Sequence, residues 1–169
     1  MVRGRIASLP YGVIIKDRWR TQAKAETEIT MATTPAVSEF LGVEDHESPT
    51  AMVAMLRSGL PVQALENIRQ ALDLSLEELA DALAISARTL SRRKNSGVLA
   101  PQESDRVYRI ARIFGHAVEV FESRQKAARW LKQPHPSLDG MAPLEMFDTD
   151  LGVKLVDEIL TRIEFGVFG

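Results

Sequence analysis

Cysteine is absent from all 169 residues of this chain. Its absence excludes disulfide cross-links and thiolate metal sites, and suits the reducing environment of the cytoplasm. Long apolar runs are missing too, and none approaches the ~20 residues a membrane-spanning helix requires, so no membrane partner is expected. Histidine is scarce: His46, His116 and His135 are scattered, none with a second His at the i+4 spacing of a helical metal site. They are read as surface or part-buried side chains, and no metal is expected. There is no G-x-S-x-G elbow, no glycine-rich phosphate loop and no histidine beside a plausible nucleophile; Asp148-Thr149-Asp150 reads first as a helix cap. The chain is therefore expected not to be an enzyme, with no catalytic residue and no cofactor.

Aromatic residues make up 6% of the chain, proline and glycine are sparse, and no stretch alternates as a half-buried strand would. The expected class is all-α. At 45% hydrophobic, the chain can bury one good core or two small ones. Charge is nearly balanced at −2 but unevenly placed. Residues 86–112 carry seven basic side chains against two acidic ones, whereas residues 139–169 carry two basic against seven acidic. A cationic middle and an anionic end are what two different partners would require.

Residues 1–35 include Arg3, Arg5, Lys16, Arg18, Arg20 and Lys24 around a short Val13-Ile14-Ile15. That run is too short for a secretory signal core, and the segment is read as a flexible extension, with Met31 the expected opening of the domain. From Ala36 the pattern turns helical. Val37, Phe40 and Leu41 form one short piece, Met52 to Leu56 another, and Pro61 is expected to open a helix with Leu65, Ile68 and Leu72 on its buried face.

The local signals then sharpen. Ser75 and Glu78 form a capping box, with Leu74 and Leu79 as its hydrophobic staple. The device recurs around Ser86, flanked by Ile85 and Leu90, and the second helix ends at Asn95-Ser96-Gly97. A short helix, a turn of about three residues at Ala84-Ile85-Ser86 and a cationic second helix make the helix-turn-helix that enters a DNA major groove. With Leu90 facing inward, Arg88, Arg92 and Asn95 lie outward, with Thr89 and Ser91 beside them. Arginine matches the acceptor pair of guanine and asparagine the edge of adenine. Ser86 and Thr89 can meet phosphate at the helix start, and Lys94 adds charge. Arg93 lies towards the Leu90 side, where it either braces the fold or grips phosphate. Arg106, Arg109 and Arg112 on the helix opened by Pro101 would add phosphate contacts if that helix approaches the duplex. The alternative is a helical hairpin with a solvated charged face.

The domain boundary is placed at 114/115, giving a DNA-binding region over 36–114 and a second helical region over 115–169. The second region ends in a helix from Leu151 to Ile163. Its Val153, Val156, Leu160 and Ile163 form one apolar stripe, and Leu155 and Ile159 lie towards another, as in a helix sandwiched between two bodies. The chain then closes on Phe165-Gly166-Val167-Phe168-Gly169, where a polar, frayed end is usual. These phenylalanines either close the core around Trp130 or enter a partner's pocket. Trp130, Leu144 and Phe147 are themselves expected to be core.

Trp130-Leu131, Pro134, Leu138, Gly140, Pro143-Leu144-Glu145, Gly152, Val156, Leu160 and Arg162-Ile163-Glu164 with Gly166 together resemble the toxin-binding domain of the Xre/MbcA/ParS antitoxins. Arg88 to Lys94 and Glu103-Ser104-Asp105-Arg106 resemble the helix-turn-helix half of the same family. The likeness covers roughly Leu60 to Gly169, although Met146-Phe147 stands where an aliphatic pair is usual. It implies an intracellular type II antitoxin that holds a cognate toxin inactive, most often a RES-domain enzyme that consumes NAD, and that represses its own promoter. Implied partners are that toxin and operator DNA, with a homodimer inside a larger toxin–antitoxin complex. Toxin contacts are expected at Leu155, Ile159, Arg162, Ile163 and Glu164, and along the tail at Phe165, Gly166, Val167, Phe168 and Gly169, which would cover the active site. The competing expectation is an ordinary helix-turn-helix repressor whose C-terminal region binds itself or an effector.

Overall fold

A computed structural model describes residues 35–44 and 48–166, so the extension and the tail residues Val167, Phe168 and Gly169 lie outside the described residues. The described residues contain no strand, and the expected all-α class is what is found. In chain order the helices are α1 (Pro35–Leu41), α2 (Pro49–Ser58), α3 (Gln63–Ala71), α4 (Leu76–Ala82), α5 (Ala87–Ser96), α6 (Pro101–Phe121), α7 (Arg124–Leu131) and α8 (Asp150–Glu164). Two 3-10 turns, Pro136–Leu138 and Pro143–Met146, link α7 to α8.

Among the described residues, helix α6 is the central element. It packs against α1, α2, α3, α7 and α8, and Val107, Ile110, Ala111, Ile113, Phe114 and Ala117 along it are all buried. It runs without a break through Phe114 and Gly115. One continuous apolar core follows, from Val37 and Phe40 in α1 to Val156 and Leu160 in α8. Phe40 and Phe114 meet with ring centroids 4.7 Å apart, and the Arg124 guanidinium lies 5.0 Å above the Phe40 ring.

The helix-turn-helix forms as its caps dictate. The Glu78 amide donates to Ser75 Oγ at 3.1 Å, and the Ser75 amide donates to the Glu78 carboxylate at 2.7 Å. Leu74, Leu79 and Leu90 are buried, as the two staples require. Pro61 does not open α3. It pairs with Val98 in an isolated bridge, and the helix begins two residues later, at Gln63. The reason is long-range: the Leu99 amide donates to the Leu60 carbonyl and the Val62 amide to that of Gly97, which ties the entry of α3 to the exit of α5.

Ser104, fully buried on α6, completes this junction. Its Oγ accepts the Leu60 amide at 2.8 Å and donates to the Ala100 carbonyl at 3.0 Å. Replacing Ser104 by Ala would leave the buried Leu60 amide without its partner. The expected cost is about 1–3 kcal/mol in chemical denaturation. A Ser104→Ala variant as stable as the parent would mean that the amide finds another acceptor.

Candidate functional sites

Helix α5 presents the first candidate surface. Ser86 caps it, its Oγ accepting the Thr89 amide at 3.1 Å and lying 2.9 Å from Thr89 Oγ1. Gly97 closes it in the left-handed region at φ +74°. Arg88, Ser91, Arg92, Lys94 and Asn95 are exposed, and Thr89 is half-buried. Arg88 and Arg92 make no ion pair with any described residue. That outward face is where the helical wheel places it.

The remaining cations of the middle segment behave differently. Arg93 Nε lies 2.7 Å from Glu103 on α6, a carboxylate that is itself buried and also accepts the Ala100 amide. Arg93 thus braces α5 against α6, the first of the two roles its position allowed. Arg106 Nη1 donates to the Leu83 and Ala84 carbonyls at 2.9 and 3.1 Å. It thereby steadies the turn between α4 and α5, where Ala84 adopts φ +48°, a conformation that favours glycine. Arg109 pairs with Asp105 at 3.0 Å and reaches Asp150 at 3.8 Å, and Arg112 pairs with Asp157 at 2.8 Å. The expectation that Arg106, Arg109 and Arg112 supplement a phosphate-binding patch is therefore corrected: all three hold the fold together. Part of the division between a cationic middle and an anionic end is one seam, in which α6 and α8 neutralise each other.

His116 belongs to that seam. Its Nδ1 lies 2.8 Å from Asp157 Oδ1 and its Nε2 lies 3.6 Å from Glu164 Oε2. The hydrogen bond with Asp157 raises the imidazole pKa above its ordinary value, outweighing burial, and the charge of Glu164 works in the same direction. Burial works to raise the Asp157 carboxyl, but hydrogen bonds from His116 and Arg112 hold it below its usual value.

The second candidate surface lies on α8. Thr149 caps the helix, its Oγ1 accepting the Gly152 amide at 3.1 Å. Val153, Val156 and Leu160 are buried, and Ile163 is half-buried against the core. Ile159 is only 5% exposed. Its place on a partner-facing stripe is corrected, because each four-residue step from Leu155 turns ~40° round the helix, here towards the core. The outward stripe is Leu151, Leu155, Glu158, Arg162 and Phe165. Leu151 is 68% exposed and Phe165 is 72% exposed. Leu151 was not among the expected contacts, although extending the Leu155 position one turn back would have reached it. Phe165 does not close the core around Trp130. That tryptophan is half-buried and packs on Phe121 and His135 instead, at 5.5 and 5.8 Å between centroids. Leu144 and Phe147 are core. Among the described residues no cluster of His, Asp or Glu could hold a metal ion, and no helix is long and apolar enough to cross a membrane.

The fold and these surfaces define a helix-turn-helix protein with a second helical module packed on the same long helix. Residues 51–112 match the model of the antitoxin Xre-like helix-turn-helix domain, and residues 116–166 match that of the antitoxin Xre/MbcA/ParS C-terminal toxin-binding domain. The chain is 34% identical to the antitoxin Xre of Photorhabdus laumondii over 68% of its own length and 78% of that protein. It is 30% identical to the antitoxin Xre of Yersinia enterocolitica, covering 70% of this chain and 82% of that one. A third relative, at 26% identity over 72% of this chain and 82% of its own, is the Prs ADP-ribosylating antitoxin of a Sphingobium species. The chain belongs to the Xre antitoxin family.

Proposed function

We propose that this protein is the cytoplasmic antitoxin of a type II pair whose toxin is a RES-domain, NAD-consuming enzyme. It keeps that enzyme inactive by laying the outward stripe of α8 and the tail beyond it over the active-site cleft, with Arg162, Glu164, Phe165 and Gly166 at the point of entry. It represses its own operon as a homodimer, each α5 reading a half-site one helical turn (~34 Å) from the other. The observation that carries this reading is the presence of two exposed surfaces on one core: Arg88 and Arg92 on α5, which pair with no described residue, and the apolar Leu151, Leu155 and Phe165 on α8. An apolar helix face continued by an aromatic tail suits docking into a groove. One relative is named for ADP-ribosylation, a reaction that takes its transferred group from NAD, so an NAD-consuming partner is compatible with that chemistry as well.

Co-expression with the product of the adjacent gene tests the reading. The two chains are expected to purify together, and NAD consumption by the partner is expected to cease in the complex. Replacing Arg88 and Arg92 by Ala is expected to weaken operator binding by about 1–3 kcal/mol per residue and to flatten its salt dependence, without loss of the complex. Operator binding without any complex would identify an ordinary repressor. Undiminished operator binding by the double variant would remove α5 from the interface.

A further inference from the structure

The tail that is proposed to reach the partner leaves α8 at Glu164, and His116 of α6 stands beside that point. His116 lies between Asp157 and Glu164, which are two turns apart on one side of α8. Asp157 is held a second time, by Arg112. Glu164 is poorly placed by itself, because an acidic side chain in the last turn meets the negative end of the helix dipole. A cation opposite it offsets that repulsion, and among the described residues the group opposite Glu164 is the His116 ring. Just beyond, the Phe165 amide donates to the Thr161 carbonyl, the Gly166 amide donates to the Ile163 carbonyl, and Gly166 turns at φ +65°. The placement of Phe165 and Gly166 therefore depends on whether this last turn is held.

We propose that His116, placed between Asp157 and Glu164, is a positioning residue that clasps the last turn of α8 to α6 and sets the direction in which Phe165 and Gly166 leave it. The partner-binding consequence rests on the antitoxin reading; the clasp does not. The charged groups around the ring are Arg112 one turn earlier on its own helix, and Asp157 and Glu164 on α8; Glu119, three residues on, is exposed to solvent. The sign follows from the geometry. An imidazole whose folded pKa is raised contributes its stability fully below the ordinary value of 6.5 and loses it as pH rises through the folded value. Asp157, held below its usual value, stays ionised throughout that window. The last turn is thus held tightest on the acidic side of neutrality and released on the alkaline side.

Amide hydrogen exchange on the full chain reads this directly. Protection of residues 161–166 is to be compared at about pH 5.5 and about pH 8.5, on either side of the range in which histidine titrates, after correction for the intrinsic rate. The parent is expected to lose protection several-fold at the higher pH. His116→Gln, which keeps a hydrogen-bonding group without a charge, is expected to be weakly protected at both. Glu164→Gln, on the exposed last turn, should abolish the pH dependence of residues 161–166 while leaving the rest of α8 unchanged, and it serves as the test if His116→Gln does not fold. A pH dependence of these amides that survives in Glu164→Gln, or in a folded His116→Gln, overturns the clasp. With the adjacent gene product as probe, dissociation from the parent is expected to quicken several-fold at the higher pH, and that from His116→Gln to be flat; equal pH dependence in both overturns the consequence for binding. A parent chain that binds no such product counts against the antitoxin reading alone, because exchange judges the clasp without a partner.

Discussion

Removing Phe165 to Gly169 is expected to leave a folded protein that no longer restrains its toxin. Phe165 is 72% exposed and takes no part in the apolar core, so its loss costs the fold little. The Phe165 and Gly166 amides bond only to the Thr161 and Ile163 carbonyls of the last turn, where each lost hydrogen bond costs about 0.5–1.5 kcal/mol. Binding should respond quite differently. An aromatic side chain seated in a partner's pocket typically contributes about 2 kcal/mol or more when truncated to Ala, and two such anchors correspond to a loss of affinity of several hundredfold. Thermal unfolding and toxin inhibition measured on the same truncated chain separate the two effects. Retention of full inhibition would place the restraining contact elsewhere, with the outward stripe of α8 the first alternative. Phe165→Ala in the full-length chain distinguishes loss of the side chain from loss of the chain end.

Replacing Gly152 by Ala is expected to do the reverse, damaging the fold before the interface. A Cβ at this position would run into the backbone carbonyl of Met146, in the 3-10 turn that packs beneath α8. Helix propensity favours the change, since Ala is better than Gly inside a helix by about 1 kcal/mol. The clash decides the sign, because a backbone carbonyl cannot rotate away as the end of a side chain can. Overpacking of this kind costs about 1–3 kcal/mol, and each kcal/mol lowers the melting temperature of a chain this size by about 2–4 °C. Because Thr149 caps the same turn through the Gly152 amide, the start of α8 should loosen and its outward stripe shift with it. A Gly152→Ala chain as stable as the parent would show that the 3-10 turn yields at little cost.

Gly152 also shows how far a motif read from sequence extends. It was one of the residues carrying the family resemblance, yet its periodicity states no reason for a glycine there. The reason is the Met146 carbonyl, a neighbour brought in by tertiary packing. Ser104 is similar: its place in a recognisable stretch was visible, whereas its hydrogen bond with Leu60 spans 44 residues.

What the sequence determined by itself is everything that rests on neighbours along the chain. The two capping devices, a short turn (four residues, 83–86), the outward position of Arg88 and Arg92 and the helical class all follow from local spacings, and all are present. Only the tertiary structure decided which charges were available to a partner. Arg93, Arg106, Arg109 and Arg112 looked equivalent to Arg88 in a count of charge, but each meets an acceptor from a distant segment, and so belongs to the fold. The same holds on α8, where Ile159 turned inward and Leu151 outward although both were apolar. A charge or an apolar group acquires its role from what lies opposite it, and in this chain those opposites lie as many as 85 residues away, as Glu39 does from Arg124.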